Sequence, residues 1–251
     1  AAHAAELEQF PREPRDWTEE LTEFATGMRP GRSKLVHDEA GDEQIDQSMA
    51  SSMFNFFKLA QRELLIMNAY VIPGQQAIDY MQILTDRGVD VRILTNSLSS
   101  HDVPAVNSHY EPWRDDFIRA GVELFEFRSD PAIQSTIIDV PPIAAGFSGL
   151  HSKSAVVDGR YVFIGSMNLD PRSAKINTEM GAMVDSPELA EDLRQLILRD
   201  MSPANAWKVQ LDEDGKVFWQ NDTETLTTQP ARDGMQRVMN QLMKLGPKDQ
   251  F

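Results

Sequence analysis

Ile45, Met49, Met53, Phe56 and Ala60 recur at intervals of four, four, three and four, which lines them along one helical face that must pack against a core. The period then changes. Glu63 to Tyr70 carries the unbroken apolar run Leu64-Leu65-Ile66-Met67 and is followed by Pro73-Gly74, the pattern of a buried strand and its stop. A helical pattern runs from there to Asp86, Arg87-Gly88 ends it, and Val89 to Asn96 predicts a second strand, completing a β-α-β unit. A second round predicts a helix through Trp113 to Ala120, closed by Gly121, and a strand beginning at Val122. Strands joined by helical crossovers are buried on both faces. The predicted class is therefore α/β, with a mostly parallel or mixed sheet flanked by helices.

Ser129 to Ser148 breaks the pattern: it is a long irregular stretch with Pro131, Pro141, Pro142 and Gly146, yet it also holds Ile137, Ile138, Val140, Ile143 and Phe147. Its apolar residues suit packing under a further half-domain, with contact to acyl chains or a bilayer as the other reading. After Gly149 a tight hairpin, another strand and a helix capped by Ser186-Pro187 are expected, the helix carrying Leu189, Leu193, Leu196 and Ile197. Trp207 to Leu211 and Lys216 to Trp219 flank Asp-Glu-Asp-Gly as an added antiparallel hairpin, and an amphipathic helix, Met235 to Leu245, closes the chain. Residues 1–42 lack sustained periodicity apart from Leu35-Val36 and read as a linker or partly disordered segment from an upstream half. Residues 43–251 form the expected folded body. The opening residues, Ala1 to Pro14, have neither a basic start nor an apolar signal core and read as the interior of a longer chain.

Composition narrows the function. A formal net charge of -15 over 251 residues opposes general electrostatic coating of nucleic acid, while leaving room for a local basic pocket. No cysteine is present, so disulfides and thiolate chemistry are excluded and serine, histidine and carboxylates must carry any reaction. No apolar stretch approaches the roughly 20 residues of a spanning helix.

The chemistry-bearing segment runs from Leu150 to Gly181. His151 and Lys153 stand two apart on a predicted strand, so an imidazole and an ammonium leave the same face, a phosphate-binding pair with a nucleophile in it. Asp158-Gly159 supplies the turn, and the returning strand delivers Ser166 and Asn168 toward the same edge. Asn177 and Glu179 share a face of the next strand, where the carboxylate could take the Nδ1 proton of His151 and leave Nε2 free to attack. Arg172 and Lys175 make the stretch locally basic. Asn96, Ser97 and His101 follow a strand's carboxyl end, so Asn96 and Ser97 are candidates to line a pocket with Arg172, loop capping being an equal explanation. His109 and Tyr110 are given no catalytic part, and Met53, Phe56 and Phe57 are core.

Together His151, Lys153, Asp158, Gly165, Ser166, Asn168 and Glu179 resemble the phospholipase D superfamily signature HxKxxxxD, GSxN and a downstream Glu. The likeness extends to the cardiolipin synthase-like branch through NAYVIPG at 68–74, ILTNSL at 93–98 and GSMNLDPRSAKINTEMG at 165–181. One departure stands out: His3, His37, His101 and His109 all lack a lysine two residues on, so no second motif follows.

The resemblance implies a phosphatidyltransferase of the phospholipase D type. His151 would attack phosphorus to form a phosphohistidine, Lys153 and Asn168 would hold the phosphoryl oxygens, and Ser166 would assist. Asp158 is better suited to structural support, with Gly165 and Asn177, than to proton transfer. No metal or other cofactor is implied. The partners expected are a phospholipid such as phosphatidylglycerol, and an upstream repeat or second copy supplying the other histidine; peripheral contact with a bacterial inner membrane from the cytoplasmic side is expected too. The isolated chain should be catalytically incomplete. A dimeric single-motif nuclease or phosphodiesterase, and a non-catalytic fragment, are the alternatives.

Overall fold

A strand with an unbroken apolar run has to be covered on both faces, and in the computed structural model β2 (Glu63–Asn68), with Leu64 to Met67 all buried, is such a central strand. The structure describes residues 18–39, 47–137 and 146–246. A first helix, α1 (Thr18–Thr26), lies in a separate unit that ends at Pro30 and is described by itself. From Gly31 onward the chain builds one sheet, containing β1 (Arg32–His37), β3 (Asp90–Asn96), β4 (Glu123–Phe127), β5 (Lys153–Val157), β6 (Tyr161–Gly165), β7 (Met180–Asp185), β8 (Ala206–Leu211), β9 (Val217–Gln220) and β10 (Thr225–Leu226). Its spatial order is β1-β7-β6-β5-β2-β3-β4-β8-β9-β10.

The sheet is mixed, and among its described strands the parallel pairs are β2-β3 and β3-β4. Those are the strands joined by helices: α2 (Ser48–Phe57) precedes β2, α3 (Gln75–Asp86) links β2 to β3, and α4 (Pro104–Tyr110) with α5 (Arg114–Arg119) links β3 to β4. Beyond Ser148 the pairings are antiparallel, β5 to β2, β6 to β5 through a tight turn and β7 to β6 across a longer connection, so the parallel pairing of the first half does not continue. In the turn after β5, the Arg160 amide donates to the Val157 carbonyl at 3.0 Å, while Asp158 (φ 54°) and Gly159 (φ 63°) are both left-handed.

Helices α2 to α5 cover one face through Met53, Phe56, Met81, Leu84, Tyr110 and Phe117. α8 (Pro187–Asp200) covers part of the other, against Leu65, Val156 and Val162. Two short helices, α6 (Gln134–Ile137) and α7 (Pro171–Lys175), sit in the connections, and α9 (Gly234–Met243) follows the C-terminal hairpin. The apolar stretch expected over 129–148 lies partly outside the described residues, at 138–145.

The linker boundary near residue 42 needs correction. Arg32 to His37 pairs along its whole length with β7, as Val36 alone, buried among five exposed neighbours, suits an edge strand. No described helix is long and apolar enough to cross a membrane.

Candidate active site

Strand directions decide where the polar residues meet. β5 runs antiparallel to β2, β6 to β5, and β7 to β6, so the ends of β2, β3 and β6 share one sheet edge with the starts of β5 and β7. His151 and Lys153 at the start of β5, Ser166 and Asn168 after β6, and Asn177 and Glu179 before β7 are thereby brought to that edge.

His151 is exposed and lies two residues ahead of the first residue of β5. Lys153 is 8% exposed, and its ammonium donates to the His151 carbonyl at 2.9 Å. Burial pulls the lysine pKa below its ordinary value, while the negative charges of Glu179, Asp102 and Asp170 pull it back up. An ammonium surrounded by carboxylates without a carboxylate bonded to it keeps donors for an anion.

Ser166 donates its hydroxyl to one Glu179 oxygen at 2.5 Å, and the Asn177 amide donates to the other at 3.1 Å. Both Glu179 oxygens are thus engaged, and among the described residues none bonds to His151, which differs from the direct carboxylate-to-imidazole contact expected from sequence. The Glu179 backbone is itself held by Asp38: its amide donates to the Asp38 carboxylate at 3.0 Å and its carbonyl accepts from the Asp38 amide at 2.9 Å. Asp38 follows β1, inside the stretch expected to be linker, and nothing in its local sequence marked it.

Asn168 is held from both sides. The Asn68 amide donates to the Met167 carbonyl at 3.2 Å and accepts from the Leu169 amide at 3.2 Å, and the Ile72 amide donates to the Leu169 carbonyl at 2.7 Å. The Asn168 side-chain oxygen is buried with no hydrogen-bond partner among the described residues. Asn68 lies in the NAYVIPG stretch, whose resemblance was legible although its task was not.

Asn96 and Ser97 do not line an open pocket. Both are fully buried, because Asn96 donates to Ala69 and Leu150 carbonyls at 3.1 and 2.8 Å and accepts from the Leu150 amide at 2.8 Å, while Ser97 Oγ pairs with Ser99 Oγ at 2.8 Å. They form the support behind His151, with Asn96 gripping the residue just before it. Arg172 is exposed on α7, and no contact joins it to His151 or Lys153. Asp158 accepts from the amides of Gln61, Arg62 and Glu63 at 3.1, 2.8 and 2.9 Å, at the end of β5 opposite Lys153. Roughly 3.3 Å of rise per residue over that strand puts it beyond reach of the reacting centre. At Gly165 an added Cβ would stand 2.5 Å from the Met180 carbonyl, so only glycine lets β6 and β7 close at this end.

Tyr70 completes the edge. Its ring stands edge-on to the His151 ring at 6.4 Å, lies stacked on His101 at 5.3 Å, and has the Lys153 ammonium 5.7 Å from its centre. The hydroxyl donates to the Asp102 carboxylate at 2.9 Å. The neighbouring His101 and then this hydroxyl hold the Asp102 carboxyl well below the usual carboxylate range. Behind Met167, Leu169 and Asp170 opens an apolar cleft of about 360 Å³, lined also by Phe54, Phe57 and Tyr80. Among the described residues, no group of three or more His, Cys, Asp or Glu is arranged to hold a metal ion.

Residues 53–201 match the family model described as cardiolipin synthase, PLD-like domain. The chain is 33% identical to cardiolipin synthase C of Escherichia coli over 224 residues, covering 86% of this chain and 47% of that protein. It is 24% identical to cardiolipin synthase B of the same organism over 223 residues, covering 88% and 49%. The chain therefore spans about half the length of these relatives. Among solved structures its fold is similar to Nuc of Salmonella typhimurium, a phospholipase D family member, with TM-score 0.52, 17% identity, and coverage of 70% of this chain and 97% of Nuc. NucT from Helicobacter pylori gives 0.52, 15%, 70% and 98%.

Proposed function

Because the chain belongs to the cardiolipin synthase, phospholipase D-like domain family, we propose that it supplies one half-site of a phosphatidyltransferase acting through a phosphohistidine. The observation that carries this reading is the convergence of His151, Lys153, Asn168 and the Ser166-Glu179-Asn177 cluster on one sheet edge. In this reading His151 Nε2 attacks phosphorus, its phosphorus–oxygen bond to the leaving alkoxide breaks, and a second histidine protonates that alkoxide. An acceptor hydroxyl then displaces His151, giving up its proton to the same second histidine. Lys153 and Asn168 hold the phosphoryl oxygens through donors aimed before the charge moves, which lowers the barrier more than donors recruited from water. Ser166 keeps Glu179 in place, and Glu179 biases Lys153 toward its charged form.

The second histidine comes from another copy of the motif, in an upstream repeat or a second chain, and residues 43–251 with β1 form the half-domain that meets it. A phospholipid such as phosphatidylglycerol suits the apolar cleft behind Met167 and Leu169, which a nucleic-acid strand does not need. The protein would then work at the cytoplasmic face of a bacterial inner membrane as a peripheral enzyme.

The test is cardiolipin formation from phosphatidylglycerol by protein carrying this chain together with a second motif-bearing half. His151→Ala is expected to lower it by at least about 10³-fold, as loss of a nucleophile does. Retained transfer would remove His151 from the mechanism, and efficient cleavage of DNA without lipid transfer would favour the nuclease alternative.

A further inference from the structure

α9 is mounted with its polarity inverted. Its buried side chains are Gln236 and Asn240, whereas Met235, Val238, Leu242 and the following Leu245 are 68, 54, 56 and 86% exposed. Met239 and Met243 lie on the same outward side. The fold enforces this choice: the Gln236 amide donates to the Leu98 carbonyl at 2.6 Å, Asn107 donates to Asn240 at 2.8 Å, Asn240 donates to Glu111 at 2.8 Å, and Lys244 pairs with Glu111 at 2.9 Å. Rolling the helix to bury its apolar stripe would break all four. A surface helix ordinarily does the reverse, and an apolar stripe held outward marks a place of contact.

Charge selects the partner. From Arg232 to Lys244 the chain carries Arg232, Arg237 and Lys244 against Asp233 alone, +2 by count, in a protein whose total is -15. Lys244 is compensated by Glu111, whereas Arg232 donates to the His101 carbonyl and lies 3.8 Å over the Phe147 ring, and Arg237 donates to the Gln229 carbonyl, with no carboxylate paired to either among the described residues. An apolar stripe edged by free positive charge complements an anionic phospholipid surface. A symmetric pairing of this face with a second copy would instead set Arg237 near its own counterpart.

We infer that α9 is an interfacial helix, laying Met235, Val238, Met239 and Leu242 into an anionic bilayer surface so that the active-site edge faces its lipid. The inference deepens the reading above and rests on it for the choice of lipid. The link to the site is short: Gln236 and Arg232 bind the loop after β3, whose His101 stacks on Tyr70, the ring that stands against His151.

Co-sedimentation of the chain with vesicles of phosphatidylglycerol and phosphatidylethanolamine tests it, with phosphatidylcholine vesicles alongside. Wild type is expected to bind the anionic vesicles, Met239→Glu and Leu242→Glu to bind at least roughly tenfold more weakly, and Arg237→Glu to weaken binding to the anionic vesicles only. These sites are exposed, so thermal unfolding should stay as in wild type. Since the chain has no cysteine, Val238→Cys accepts a single environment-sensitive fluorophore whose emission should shift to the blue on anionic vesicles. Absent vesicle binding, full binding by the two Glu variants, an unshifted label, or variants that change only self-association in light scattering would each overturn the inference. His151→Ala should bind vesicles as wild type does, so failure of the transfer chemistry and failure of the lipid contact are read separately.

Discussion

Asn96 uses its whole hydrogen-bonding capacity, two donated and two accepted bonds, with the second acceptance coming from Ser100 Oγ at 2.9 Å. Two of those four bonds reach the carbonyl and amide of Leu150, so the position of His151 is inherited from an amide on a different strand. Asn96→Ala leaves the Leu150 groups unpaired in a buried place and should cost about 1–3 kcal/mol in urea unfolding. Catalysis should fall with it if His151 is the nucleophile as proposed, because the backbone before it is released; unchanged stability would show that the grip is dispensable. His101 offers a second readout at this scale. Burial lowers its pKa below the usual 6.5, against an upward pull from Asp102. In the window just below 6.5 the unfolded chain therefore binds the proton more readily than the folded one, and stability should decline as pH falls from 7 to 5. His101→Asn retains an acceptor for the Val103 amide and should show a shallower decline in the same titration; an identical slope would reject the assignment.

Among the elements, β6 and β7 approach so closely at Gly165 and Gly181 that a side chain on either would strike its neighbours. Gly165→Ala is expected to destabilise by roughly 1–3 kcal/mol and to displace Ser166 from Glu179, measurable as a lower melting temperature with a larger loss of turnover than of substrate binding. A variant as stable and active as wild type would mean the pair tolerates opening. Most elements were legible in the sequence because their periods are clean: Leu64 to Met67 as a buried strand, Gln75 to Asp86 as a helix, Ser186-Pro187 as a helix start. Others were not. β1 leaves no mark in the sequence, since an edge strand with one buried residue has no alternation to show. The amphipathic period of α9 was plain, but period says which residues share a face and not which face turns inward; here the polar side is the buried one, through partners 129 to 138 residues away such as Glu111 and Leu98. The signature positions were readable for the same reason that their supports were not. His151, Lys153, Ser166 and Asn168 follow one another along a hairpin, whereas Asp38, Asn68 and Tyr70 reach them only through sheet pairing.

At the scale of the whole molecule, the proposed anion site of a strongly acidic chain centres on Lys153, whose pKa burial lowers while Glu179, Asp102 and Asp170 pull it back up. On the proposed mechanism the described residues of this sheet edge supply the nucleophile and the donors to the phosphoryl oxygens, while the acid for the leaving alkoxide is expected from a second motif; the chain spans about half the length of its curated relatives. Turnover should accordingly appear only where a second motif is supplied, and for the chain alone should rise more steeply than linearly with protein concentration if a second copy supplies it. The most direct measurement is capture of the covalent intermediate: protein carrying both halves is mixed with phosphatidylglycerol, quenched in alkali where phosphohistidine survives, and mapped by peptide mass spectrometry. The account predicts a phosphatidyl-derived adduct on His151 that is absent in His151→Ala. An adduct on another residue of this chain, or cardiolipin formation undiminished in His151→Ala, would contradict it.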